Sequence, residues 1–224
     1  TTLFRSNHIP NLPTKHKPAL PREELPEFYR RLILATNIER QNKIAIMLIM
    51  LVFVRNNELR GGQWQEVDFK NKRWIIPAER MKHEKMKPKP ALCVPLSDWA
   101  IELLQELHTL TGHSRFMFPS RTSVNRHISE NTLGKIINEK LGYKGKATPH
   151  GFRAVASSLL YENNFNGGAI EIQLAHVEED KTKDSYAYMA EYMPQRIEFM
   201  QWYSDYLREQ YNQALQMIQE SRTV

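Results

Sequence analysis

The chain has 224 residues, 41% apolar and 25% charged, with a formal net charge of +6 and one cysteine. That composition fits one large globular domain or two small ones and excludes a disordered or fibrous chain. The lone Cys93 excludes an internal disulfide and a cysteine-built zinc site, and the positive balance restricts partners toward polyanions without identifying one.

Residues 1–22 hold Pro10, Pro13, Pro18 and Pro21, four bases and no acid, and read as an extended arm or linker. Within residues 23–37, Leu25, Phe28, Tyr29, Leu32 and Ile33 recur at helical spacing. Arg40 to Val54 predicts a second helix, apolar nearly all round in its latter half and hence buried. Its longest apolar run, Ile44 to Val54, is too short to span a bilayer and too far from the N-terminus for a signal peptide. Asn56, Asn57 and Gly61-Gly62 break the pattern.

Trp64 to Phe69, Arg73 to Ile76 and Leu92 to Leu96 are short β-like runs. They predict a small three-stranded antiparallel sheet whose first two strands turn at Lys70-Asn71-Lys72. A proline- and lysine-rich loop runs up to Pro90. Ser97 caps a helix that ends near Leu110, residues 111–128 are mixed and polar, and Ser129 to Leu141 predicts another helix. Thr148-Pro149 is a helix start, with Thr as the cap and Pro at the first position, for a helix to about Glu162. Asn163 to Gly168 is a loop, Ala169 to Leu174 a short helix, and Lys183 to Ala190 a further candidate. The chain ends in an amphipathic helix, about 194–220, with Ile197, Met200, Tyr203, Leu207, Tyr211, Ala214 and Ile218 on one face. That face packs on its own domain or on a partner protomer. The fold class expected is α+β, mostly helical.

The charge is not evenly spread. Residues 70–89 and 113–153 each carry eight bases against two acids. With residues 1–22, these segments hold +16 and leave −10 for the rest of the chain. Such runs either solvate a surface or face a polyanion.

Two arginines stand where a surface charge is not expected. Arg55 follows the buried run directly, and a half-buried guanidinium needs an anion: Glu58, three residues on, or a ligand. His150 and Arg153 share one face in the first turn of their helix, where free N–H groups already favour an anion. His176 closes a short apolar segment, where a histidine serves either the core or chemistry. Tyr186 lies in a polar stretch, with Tyr188 and Tyr192 near it. The sequence holds no G-x-x-x-x-G-K-[ST], G-x-G-x-x-G or H-E-x-x-H pattern and no carboxylate pair set for two-metal chemistry, so no metal or other cofactor is expected.

The order of these signals carries more than any one of them. Val54-Arg55-Asn56-Asn57-Glu58-Leu59-Arg60 is followed by Trp64-Gln65-Glu66-Val67-Asp68 and Ile76-Pro77-Ala78-Glu79-Arg80-Met81-Lys82. Then come Val94-Pro95-Leu96-Ser97, Thr148-Pro149-His150-Gly151-Phe152-Arg153, Gln173-Leu174-Ala175-His176-Val177-Glu178 and Tyr186. This series resembles the catalytic domain of the tyrosine recombinases, in particular phage and genomic-island integrases, over residues 18–208. Asn56-Asn57 departs from the family's usual Pro-Gly after the first arginine.

The resemblance implies the recombinase catalytic fold over residues 23–224. It implies site-specific DNA recombination through a covalent 3′-phosphotyrosyl intermediate. Arg55, Lys82, His150, Arg153, His176 and Tyr186 take the catalytic positions, with Glu58 supporting the first arginine. Arg80, Lys85, Lys87 and Lys89 fall where DNA is contacted. Implied partners are double-stranded DNA at attachment sites, further protomers in a tetramer on DNA, and a directionality factor, with no membrane. The location implied is the bacterial cytoplasm, at the nucleoid. The start at Thr1, without Met, is expected for a piece of a longer integrase whose DNA-binding domains precede it. A type IB topoisomerase, a resolvase-like enzyme and an inactive DNA-binding module are the alternatives.

Overall fold

Nine consecutive buried residues, Ile44 to Val52, make helix α2 (Arg40–Val52) the centre of the protein. A helix apolar on every side is stable only when other elements cover it all round. The computed structural model describes residues 18–81, 90–176 and 192–223. Around α2 pack α4 (Asp98–Thr111), α6 (Gly151–Glu162) and the long C-terminal helix α8 (Met193–Thr223). Helix α1 (Leu25–Leu34) lies along α8 and buries Leu25, Phe28, Tyr29 and Leu32. Among the described residues the remaining α-helices are α3 (Asn56–Arg60), α5 (Thr132–Lys135), which continues as a π-helical stretch Ile136–Lys140, and α7 (Gly167–Gln173).

The expected three-stranded antiparallel sheet is present, with strands β1 (Val67–Asp68), β2 (Arg73–Ile76) and β3 (Leu92–Pro95) in that order. Trp64–Glu66, read as the start of the first strand, is a 3-10 turn instead. Glu66 explains it. Its carboxylate accepts from Gln63 N and from the buried Trp74 indole, so it curls back over its own backbone. A second hairpin, β4 (Pro119–Ser120) with β5 (Ser123–His127), lies in the stretch that seemed merely polar. Its exposed residues Val124, Asn125 and Arg126 give no alternation to detect.

Helix α6 begins two residues later than expected, at Gly151, yet Thr148 still caps it by accepting from Gly151 N at 2.9 Å. The same hydroxyl donates to the Pro18 carbonyl. A Cβ on Gly151 would stand 2.1 Å from that carbonyl oxygen, so only glycine lets the two backbones meet. Leu20 is buried and Arg22 pairs with Glu162, so the end of the stretch read as an arm touches the domain at these points.

The apolar face of α8 is used within the chain. Phe199, Met200, Tyr203, Leu207, Ala214 and Ile218 are buried, against α1, α2, α4, α6 and α7 among others. Ile197 is a correction: it faces outward, and the buried positions there belong to Phe199 and to Arg196.

Candidate active site

The site begins where α2 stops. Phe53 takes the left-handed region at φ 60°, which ends the helix and turns the chain. Its ring is held parallel to Phe199 and edge-on to Tyr203, at 6.4 and 5.0 Å between centroids. That packing offsets backbone strain of about 1–2 kcal/mol. Two residues on, Arg55 occupies the N-cap of α3. The break expected at Asn56 is therefore a turn into a new helix.

Glu58 fixes Arg55 twice. Its carboxylate accepts from the Arg55 backbone N at 2.7 Å and from Nη1 at 3.1 Å. The acid side chain is 2% exposed and the arginine 20%. Arg55 thus has the nearer of its two expected anions. It is paired with Glu58, and only one of its five N–H donors is taken in that ion pair.

Arg153 reaches the same place from α6. It is 4% exposed and donates from Nη1 to the Phe53 carbonyl and from Nη2 to the Leu174 carbonyl, the latter at 2.6 Å. Burial and then the Arg55 charge pull its guanidinium down to about 10, while Glu58 and Glu171 act in the opposite direction. It remains a cation at neutral pH. Two like charges therefore share one site, one of them buried against carbonyls with no carboxylate bound to it among the described residues. Such a cation is under-compensated, which suits the site to an anion.

The histidines flank this pair. His150 is exposed one turn before Arg153, and its carbonyl accepts from Arg153 N at 3.1 Å. His176 follows α7, on the turn whose Leu174 carbonyl holds Arg153, with its Nδ1 2.8 Å from Glu171 Oε2. That turn has Ala175 at φ 50°, with His176 N donating to Glu171 O and Ala175 N to Ile172 O. Glycine is the usual residue at such a helix end. Ala175→Gly is expected to raise stability by about 1 kcal/mol; a lower urea midpoint at unchanged slope would contradict this.

Arg80, expected at the DNA, is held by partners within the protein. Its guanidinium donates to Glu66 Oε2 at 2.9 Å and to the Glu58 carbonyl at 3.1 Å, and its side chain is 17% exposed. It ties the sheet to the residue that holds Arg55. Lys82, Lys85, Lys87, Lys89, Tyr186 and Tyr188 lie outside the described residues. The strand pair Ile76↔Leu92 closes the base of the lysine-rich segment.

A buried group unseen in the sequence is built on Arg196 and Gln173. Arg196 donates to Gln173 Oε1 from Nε and Nη2, at 3.1 and 2.8 Å, and to the Cys93 carbonyl; Gln173 Nε2 donates to the Val52 carbonyl. Its only sequence signal is a charge on the inner face of an amphipathic helix. Among the described residues no group of histidine, cysteine and carboxylate side chains is placed to hold a metal, and no helix is long and apolar enough to cross a membrane.

Comparison with known proteins places the chain in a family. Residues 20–192 match the phage integrase family. The integrase of Enterobacteria phage P4 is 36% identical over 220 residues, covering 93% of this chain and 50% of the relative. The integrase of Shigella phage Sf6 is 35% identical over 196 residues, covering 87% and 49%. The chain thus spans about half the length of the curated relatives it matches. The Tn1549 transposon integrase, solved in complex with a circular intermediate DNA, shares the fold at a TM-score of 0.61 and 16% identity, over 78% of this chain and 63% of that one.

Proposed function

The chain belongs to the phage integrase family, and from that premise we propose that it is the catalytic domain of a site-specific recombinase that cuts and rejoins double-stranded DNA. The observation that carries the proposal is the shared electrostatic site of Arg55 and Arg153, assembled from two helix ends with Glu58 as its support. A phosphodiester is the ligand such a pair suits: planar guanidiniums bind its non-bridging oxygens in pairs, and the grip tightens as charge builds on them.

In this reading Tyr186 attacks phosphorus and becomes joined to the 3′ phosphate, conserving the bond for rejoining. The 5′ oxygen leaves with a proton from a lysine of the 82–89 segment, Lys82 by its place in the motif. His150 assists proton movement at the tyrosine, and His176 hydrogen-bonds the phosphate. Lys85, Lys87 and Lys89 contact DNA. The strand exchange of a full integrase calls for a tetramer of protomers, a directionality factor and DNA-binding domains ahead of this piece, acting at the bacterial nucleoid.

The test is a nicked duplex that traps the cleaved strand, carrying the attachment sequence beside the encoding element. The chain is expected to form a denaturant-resistant protein–DNA adduct; failure on that sequence contradicts the proposal. Binding by this piece is expected to depend steeply on salt. With about six phosphates contacted, affinity falls on the order of 10³-fold between 50 and 200 mM salt. A dissociation constant that stays flat over that range would contradict a phosphate-directed site.

A further inference from the structure

Glu171 has no role in the mechanism above, yet it joins two of the site's neighbours. Tyr161 Oη donates to Glu171 Oε1 at 2.8 Å, and His176 Nδ1 lies 2.8 Å from Glu171 Oε2. Both carboxylate oxygens are therefore engaged. The Tyr161 ring is itself braced by the start of α7, where a Cβ on Gly167 would stand 3.2 Å from the ring's Cε1.

This contact is not a consequence of helical spacing. Residues five apart on a straight helix point about 140° from one another. Glu171 and His176 meet because the chain reverses at Ala175 in the left-handed region, which folds His176 back over the last turn of α7. A strained residue is thus kept where it aims an imidazole at a carboxylate. The Glu171 charge also reaches Arg153, so the three groups occupy one neighbourhood.

We propose that Glu171 is a positioning residue for His176. An ionised carboxylate only accepts hydrogen bonds, so Nδ1 carries the proton and Nε2 is the nitrogen presented to the ligand. With Tyr161 holding the other oxygen, the carboxylate stays on Nδ1 and the ring keeps one orientation. When Nε2 is protonated as well, the ring lies between a carboxylate and the phosphate and donates to each. Carboxylates orient histidines in this way in metal and hydrolase sites. The effect on cleavage rests on the recombinase reading; the effect on the imidazole does not.

The experiment has two arms on the full chain. In the first, Glu171→Ala is compared with wild type on the nicked duplex. Adduct formation is expected to slow by about 10–100-fold, the range for losing an orienting partner, with DNA affinity unchanged. Tyr161→Phe is expected to show a smaller loss of the same kind, and Glu171→Gln, which keeps an acceptor oxygen, is expected to recover part of the rate. In the second arm, imidazole ¹⁵N shifts of His176 are read without DNA. Wild type is expected to carry the proton on Nδ1, and Glu171→Ala to move it to Nε2. A wild-type rate in Glu171→Ala, or the same His176 tautomer in both proteins, would overturn the proposal. If wild type forms no adduct at all, the recombinase reading fails, and the ¹⁵N arm still decides the positioning of His176.

Discussion

Tyr186→Phe is expected to abolish the covalent adduct while leaving DNA binding intact. In the proposed mechanism the phenolic oxygen becomes bonded to phosphorus, and phenylalanine keeps the ring while removing that atom. Loss of a nucleophile from an assembled site costs on the order of 10⁶ in rate, as for the serine of a serine protease. The binding surface is built from other residues, so the duplex should still shift on a gel with wild-type affinity. Tyr188→Phe is the control and is expected to retain the adduct. An adduct that persists in Tyr186→Phe and disappears in Tyr188→Phe would move the nucleophile by two residues.

Arg55→Ala and Arg153→Ala are each expected to slow adduct formation on the order of 10²–10³-fold, the cost of removing one donor aimed at a developing oxyanion. Their effects on stability should differ. Arg55 is part exposed and paired with Glu58, so its loss leaves a buried carboxylate with one partner fewer. Removing one member of such a pair destabilises by about 3–5 kcal/mol when the pair is fully buried, and by less here. Arg153 loses contacts to the Phe53 and Leu174 carbonyls but also removes a poorly compensated buried charge. These terms oppose each other, so its unfolding midpoint is expected to move less than that of Arg55→Ala. A cleavage rate within a few-fold of wild type for either variant would take that arginine out of the site.

Much of this was readable in order along the chain, because the strongest signals are local. Ile44 to Val52 buries itself by composition alone, Ser97 and Thr148 cap the helices they precede, and Glu58 lies one helical turn from Arg55. What escaped depends on partners far away in sequence. Phe53 is an unusual residue for a left-handed turn and is held there by Phe199 and Tyr203, which local propensity does not register. Arg196 takes a buried position on α8 that hydropathy assigns to Ile197, because its cost is met by Gln173 and the Cys93 carbonyl. Arg80 sits in a basic run, and its pairing depends on Glu66 bending back to receive it. Residues 111–128 hide a hairpin because its strands are short and one is largely exposed.

The central claim is that Arg55 and Arg153 act together on one phosphate. A double-mutant cycle on the rate of adduct formation tests it most directly, with the wild type, Arg55→Ala, Arg153→Ala and the double variant on the same nicked duplex. Groups that act as a unit are strongly non-additive. The double variant is expected to be little slower than the worse single variant. Losses that simply multiply would contradict the claim and place the two arginines on separate tasks.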